Sequence, residues 1–573
     1  MEINQLYEAI AQEGSQRAAA RALGMPESTL RLHLKRAASA PDTAPPVQLP
    51  LEFRSYRSPK PVVFEPLSDR PRYFILSSAQ DGSEVHESFL QSLQTYAEWL
   101  ENCEIIISGF TYNKALFEDH DKRSEGVYYA ASIDDYIVHD RINIGPKLVF
   151  CGEMNTLPTA VQPLSGFESY TRDKWGIFPH VKVQLKSIPT AKNALSKQIM
   201  TTGAVTLPNY VRKKAGIKAT FHHVVGAVLV ELLPNGTFFC RHLLADSLDD
   251  GSFYDLDRHV TPSGVTEGHR VEALTYGDIH HEKLDLEVSM ATWGYIPSAR
   301  KRLKGIQQRY RPEMDNEGSY IFDESTYVGS FTPLIDYLRP NFEFYHDLSD
   351  FAPRNHHNIK DHHFRFKTHA HGTANVKSAL LGCASFLSEV VRDDCMAVVV
   401  ESNHDQALVK WLKTADYRDD PENATFFLEM QASYYRYLSA GNDNPPVFED
   451  FLRENGVPSD VVFVNEDSSF VICGDIECAM HGHLGANGAK ASPAAFTRMG
   501  MKSNTGHTHS PSITDGAYIG GVSGKMDMGY NRGLSSWAHA HICTYPNGKR
   551  TILTMMGGGF FADQIGERWM EAA

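Results

Sequence analysis

No apolar run in this chain approaches the roughly 20 residues that a bilayer-spanning helix needs, which predicts a protein with no membrane partner. None of the eight cysteines sits in a CxxC pair. Scattered thiols of this kind fit burial in a reducing compartment better than a disulfide framework or a structural zinc site. Only Cys473 and Cys478, close to His481, keep a zinc knuckle as an alternative. Positive charge is short as well: 55 Lys and Arg against 70 Asp and Glu leave a net charge of -15. That balance argues against a chain that coats nucleic acid over a broad electrostatic footprint. It leaves room for a local basic module, or for a site where metal ions supply the positive charge. The opening Met1-Glu2-Ile3-Asn4-Gln5 is too polar for a secretory signal, so the expected location is a cytoplasm. No internal repeat is evident. What is present is an ordinary globular composition, 42% hydrophobic and 22% charged, in a chain long enough for two or three domains.

Residues 1–40 read as short helices about a glycine turn. The segment from Ser15 to Leu23 has a serine N-cap and ends at Gly24, and Pro26 restarts a helix that runs to Arg36. Helix, glycine turn and a second helix with polar and basic residues form the helix-turn-helix pattern. In it Ser28, Thr29, Arg31 and Lys35 stand where a recognition helix reaches DNA. The alternative use is a helical hairpin for contacts between copies of the chain. Five Lys and Arg against four Glu in residues 1–40 do not separate the two. Residues 41–70, with Pro41, Pro45, Pro46 and Pro50, read as a linker.

Residues 71–270 read as a mixed α/β accessory domain. Tyr73–Ser78 and Glu104–Ser108 are apolar strand runs on either side of a helical pattern from Glu84 to Glu101, which implies a parallel unit. Asn235-Gly236 between Ala227–Leu232 and Thr237–Cys240 predicts a hairpin. Lys182, Lys186, Lys192, Lys197, Arg212, Lys213, Lys214 and Lys218 make the 180–220 stretch locally basic. That is either a surface for a phosphate backbone or a solvated face.

Residues 271–573 alternate strands and helices again, and five segments there carry chemistry. They are Asp278-Ile279-His280, Asp347-Leu348-Ser349-Asp350, Asn403-His404-Asp405, His481-Gly482-His483 and Gly506-His507-Thr508-His509. Each follows a predicted strand, where open α/β sheets place their ligands. Residues two apart on extended backbone share a side, so Asp278 and His280 reach one metal, and His507 and His509 repeat the device. Mixed carboxylate, amide and imidazole donors suit Mn, Fe or Zn. Histidine pairs alone are poor evidence, because His356-His357, His362-His363 and His539-x-His541 also occur.

The ordered set D-x-H, D-x-x-D, N-H-D, H and G-H-x-H resembles the calcineurin-like metallophosphoesterases from Asp278 to the carboxyl end. The resemblance implies an α/β chain with a metallophosphoesterase β-sandwich flanked by helices over 271–573. The mixed α/β domain and a small all-α helix-turn-helix would precede it. It implies two divalent metals, Mn first with Fe, Zn and Mg as alternatives, sharing a hydroxide that attacks a phosphoester. Asp278, His280 and His509 would hold the first metal and Asn403, His481 and His507 the second, with Asp347 bridging. His404 would assist the leaving oxygen, and Asp350 and Asp405 would orient the histidines. Two positions depart from the family: His346 and Ser402 stand where it has glycine. His481 is preferred to His483 because the family ligand precedes the glycine. The helix-turn-helix followed by this domain order also resembles the DNA-transfer nucleases of T5-like phages. The first functional reading is therefore a phage DNA nuclease acting on host DNA in the host cytoplasm, with DNA as partner, working as a homo-oligomer. The alternatives are a phosphatase or cyclic-nucleotide phosphodiesterase, and a DNA-binding regulator with a degenerate phosphoesterase domain.

Overall fold

The structure is a computed structural model. In a first unit, residues 1–60, it describes residues 9, 12, 16–25 and 30. In a second, residues 61–573, it describes 62–111, 129–192, 194–245, 250–305, 307–310, 313–314, 320–321, 327–355, 359–556 and 558–561. The first unit shows a helix at Gln16–Ala22. Gly24, at φ +65°, ends it: its N–H bonds to the Arg21 carbonyl and that of Met25 to the Ala20 carbonyl. This is the two-bond C-cap that glycine permits. Ala19 and Ala20 bury against Leu30. Ser28, Thr29, Arg31 and Lys35 lie outside the described residues.

In the second unit, the strands β1 (Arg72–Gln80) and β2 (Cys103–Phe110) pair in parallel on either side of the helix α1 (Glu87–Leu100). The helix forms because Phe89, Leu90, Leu93, Tyr96 and Leu100 recur on one buried stripe, with the His86 ring capping the Phe89 N–H. Further along lie the strand β3 (Leu185–Ile188), the helix α2 (Lys214–His222), and the antiparallel pair β4 (Gly226–Leu232) and β5 (Phe238–Leu244). Gly236 sits at φ +81° in their turn, as an Asn-Gly hairpin requires. Val62–Phe64, inside the expected linker, adds a short edge strand beside Arg141–Ile144.

Two further sheets face each other. One runs β9-β8-β7-β6-β14-β15, from β6 (Ala273–Thr275), β7 (Phe342–His346), β8 (Met396–Val400), β9 (Val462–Val464), β14 (Ala540–Thr544) and β15 (Arg550–Thr554). Its first four strands are parallel and the last two antiparallel. The facing sheet contains β10 (Ile476–Glu477), β11 (Lys502–Thr505), β12 (Ser512–Thr514) and β13 (Ala517–Ile519). It continues through Ile513↔Leu185 into β3 and the earlier strands, so residues on both sides of position 270 share it. Alternation explains the layering. Ala273, Phe344, Val398 and Val400 pack on Ile472, Ile476 and Cys478 of the facing sheet. Their neighbours Leu274, Tyr345, Ala397 and Val399 point the other way, into a helical layer that includes Leu380, Phe386 and Leu387 of α3 (Val376–Val390).

Candidate metal centre

The parallel strands of both sheets aim their carboxyl ends at one place. Beyond β6 the chain keeps pairing with the segment after β7: Ile279 N–H bonds to the His346 carbonyl at 3.0 Å and His280 N–H to the Asp347 carbonyl at 2.7 Å. Asp278, His280 and Asp347 are thereby held side by side. Asn403 and His404 follow β8, His481 follows β10, and His507 and His509 follow β11. Four of the seven expected ligands hold left-handed backbone: His280 (φ 47°), Asp347 (43°), His507 (73°) and His509 (56°). Each costs of order 1–3 kcal/mol, and strain of this kind collects at functional sites. Gly506 is required for a different reason, since a Cβ there would overlap the Asp278 carboxylate.

The side chains converge in two groups. His509 Nε2 lies 3.0 Å from His280 Nε2 and 3.1 Å from Asp278 Oδ2, and His280 Nε2 is 3.5 Å from Asp347 Oδ2. Asp278, His280, Asp347 and His509 are all buried, with one donor atom from each inside a 4.8 Å cluster. Two imidazole nitrogens 3.0 Å apart are spaced as when both bind one ion at about 2.1 Å near a right angle. The second group gathers on His481, whose Nε2 is 3.2 Å from Asn403 Oδ1 and 3.3 Å from Asp347 Oδ2. The His507 ring packs 5.2 Å from the His481 ring. Asp347 thus touches both groups. His483 turns away, its Nε2 3.5 Å from Glu466, so the geometry favours His481.

The electrostatics suit a cation. Among the described residues, every ion pair of Asp278, Asp347 and Asp350 is with a histidine. Burial pushes the Asp278 carboxyl up, but His481 and His509 outweigh it and hold it below the usual range. His481, His404 and His280 hold Asp347 well below. In return, despite burial, Asp347 is the largest influence lifting both His280 and His481 to about 9. Asp278 Oδ1 is buried without a hydrogen-bond partner. Buried polar atoms left so are costly, and a divalent ion supplies both partner and charge. The donor set of carboxylates, one amide and imidazoles fits such an ion.

Around the ligands, Asp350 Oδ1 lies 3.2 Å from His280 Nδ1 and 3.7 Å from His404 Nδ1. His404 Nδ1 is 3.1 Å from the Asp350 carbonyl, and its backbone N–H points at Asp347 Oδ1, 3.4 Å away. Asp405 joins two loops: it accepts from Ser402 Oγ at 2.8 Å and from Ser349 N–H at 3.0 Å. Burial pushes its carboxyl up to about 7. Ser402, one of the two residues that stand where the resemblance expects glycine, is thus a group that fastens Asp405. His346, the other, is fully buried 5.6 Å ring to ring from His481, and neither of its nitrogens has a hydrogen-bond partner. Burial holds its ring neutral, at about 4.

Three neighbours escaped the sequence reading. Glu282 accepts from Asp350 N–H and Ser349 Oγ and so anchors the Asp347–Asp350 loop. Its place two residues after His280 was the available signal. Tyr530 lies with its ring 6.3 Å from His404, and burial with Asp350, Asp347 and Asp278 keeps its phenol neutral. Trp537 stacks edge-on against His509 at 4.2 Å. Both come from a glycine-rich stretch without a motif.

The fold and the site together define an α/β protein with a buried carboxylate-and-histidine cluster able to hold metal, and no helix among its described residues is long and apolar enough to cross a membrane. The chain belongs to the family of protein A1 of Escherichia phage T5, to which it is 38% identical over 499 residues, 85% of this chain and 83% of that protein. This relative supports a phage origin. No family model matches the chain, and no solved structure does.

Proposed function

We propose that this protein is a metal-dependent phosphodiester hydrolase that cuts DNA, built on a calcineurin-like metallophosphoesterase sandwich and tethered to DNA by its helix-turn-helix. The observation that carries the reading is the buried cluster of Asp278, His280, Asp347 and His509, whose carboxylates form ion pairs, among the described residues, with imidazoles alone. A second set, Asn403, His481 and His507, adjoins it through Asp347. Paired donor sets sharing one carboxylate are what a two-metal site needs. Divalent ions held there, Mn by preference, would polarise the phosphoryl oxygens and acidify the attacking water.

The chain's own residues do the rest. His404 carries its ring proton on Nδ1 when it donates to the Asp350 carbonyl. Nε2 is then the atom that hands a proton to the leaving oxygen once the ring is charged. Asp350 keeps His280 and His404 in register, and Asp405 with Ser402 and Glu282 fixes the loops that present them. The fastening of Asp405 by Ser402 favours a working site over a degenerate one. DNA is the substrate favoured by the Gln16–Ala22 helix with its glycine terminator.

The test is purified protein incubated with plasmid, linear duplex, single-stranded DNA and bis(p-nitrophenyl) phosphate, with Mn and Mg compared. Metal-dependent cutting of DNA is expected. Hydrolysis of the small diester with intact DNA would turn the assignment towards a phosphatase or cyclic phosphodiesterase.

A further inference from the structure

The basic 180–220 stretch divides sharply once its partners are known. Lys182 is buried against Asp515, Lys186 pairs with Glu168, Lys192 with Asp527, and Lys197 donates to the Glu168 and Arg172 carbonyls. These four lysines serve the fold. Arg212, Lys213, Lys214 and Lys218 are exposed and have no ion-pair partner among the described residues. Between Asp173 and Glu231 the sequence has no acidic residue at all, in a chain whose net charge is -15.

The helix α2 sorts these cations further. Its inner face is Gly216 and Ala219, both buried, and a Cβ at Gly216 would overlap the Val211 carbonyl. Lys214, Ile217, Lys218 and Phe221 stand at i, i+3, i+4 and i+7, one stripe on the opposite side. Ile217 is 61% and Phe221 83% exposed. Set among the lysines, Ile217 and Phe221 make the stripe apolar as well as basic. At its end, His222 Nδ1 lies 3.4 Å from Asp515, in the turn between β12 and β13. Since Thr505 pairs with Ile519, that turn lies four residues along the strand from the ligand end of β11, roughly 13 Å at about 3.3 Å per residue.

We infer that the outer stripe of α2, with Arg212 and Lys213, is a DNA-contacting surface of this enzyme, the cations taking backbone phosphates and Phe221 stacking on a base. The inference rests on the DNA nuclease reading. Unpaired cations interleaved with an exposed aromatic match a polyanion with flat apolar faces. A second copy fits worse, because a two-fold contact sets the same patch against itself and would bring Lys214 and Lys218 against their own equivalents.

The test uses the full-length protein with Lys214→Gln/Lys218→Gln and Phe221→Ala. Three quantities are read: KM for cutting labelled duplex and single-stranded DNA, the salt dependence of DNA binding by fluorescence anisotropy, and kcat/KM on bis(p-nitrophenyl) phosphate. The double lysine variant is expected to raise KM for both DNAs about tenfold and to lower the salt slope by about 2, one for each phosphate contact. Phe221→Ala is expected to weaken single-stranded DNA at least about fivefold, and Phe221→Trp to restore it. Hydrolysis of the small diester stays at the wild-type rate in all three. Unchanged KM and salt slope beside a wild type that cuts DNA would overturn the inference alone. Variants that change sedimentation but not DNA affinity would assign the stripe to a second copy and overturn it too. A wild type that cleaves the small diester yet neither binds nor cuts DNA would remove the nuclease reading and this surface together.

Discussion

Two buried charged clusters in this protein are built on opposite plans. In one, Arg241 donates to Asp255 from Nε at 2.7 Å and Nη2 at 2.8 Å, and to Glu231 at 2.5 Å, while Tyr96 Oη adds a hydrogen bond to Asp255. The guanidinium holds Asp255 below the usual carboxylate range against the pull of burial. In the other, Asp278, Asp347 and Asp350 are as deeply buried, but among the described residues their ion-pair partners are all imidazoles. Arginine is permanently charged, so the first cluster carries its own cation. Imidazole can give up its proton and ligate a metal, so the second can be completed from outside.

Removing one ligand should break this contrast hardest. Asp347→Asn and His509→Ala are expected to bring hydrolysis of DNA and of the small diester down to the uncatalysed background, with metal content by mass spectrometry falling in parallel. Full metal occupancy with lost activity would show that these side chains are not ligands. His404→Ala comes next. It should keep its metal and lose about 10²- to 10⁴-fold in kcat, the usual range for one acid or base group. A wild-type rate on DNA would remove His404 from the chemistry.

Arg241→Met tests the other cluster. It strands Asp255 and Glu231 without their cation, which typically costs about 3–5 kcal/mol. The midpoint of urea unfolding should drop accordingly, while metal content and kcat of the folded fraction stay at wild-type values. Loss of metal in this variant would mean that the two clusters are not independent.

The part of the fold legible in the sequence was the part with strong local periodicity. The stripe of α1 and the Asn-Gly hairpin between β4 and β5 follow from spacing alone. The meeting of the five ligand segments was anticipated because each follows a strand, and parallel strands present their carboxyl ends together. The sheet shared across position 270 was not legible, since the pairing of Ile513 with Leu185 joins residues far apart in the chain. Nor was the sorting of the eight basic residues, because Lys182 and Lys218 differ only in what the fold brings beside them. Tyr530 and Trp537 were missed for the same reason.

The smallest effect separates the clusters by pH. In metal-free protein His280 and His481 sit at about 9, above the roughly 6.5 of an unfolded histidine. Their contribution to stability is therefore complete below about 6.5 and is lost as pH rises through 9. Buried thiols also lose stability on the alkaline side, since burial pushes them up, but they do so equally with and without metal. Metal binding takes the place of the two histidine protons, so apparent affinity should rise with pH by up to about tenfold per unit for each. The gap in Tm between Mn-loaded and metal-free protein should accordingly widen from pH 7 to pH 8 at fixed free Mn. His481→Ala should flatten that dependence, whereas Arg241→Met should lower both curves and leave the gap unchanged. A gap independent of pH in the wild type would mean that these two histidines do not exchange their protons for metal.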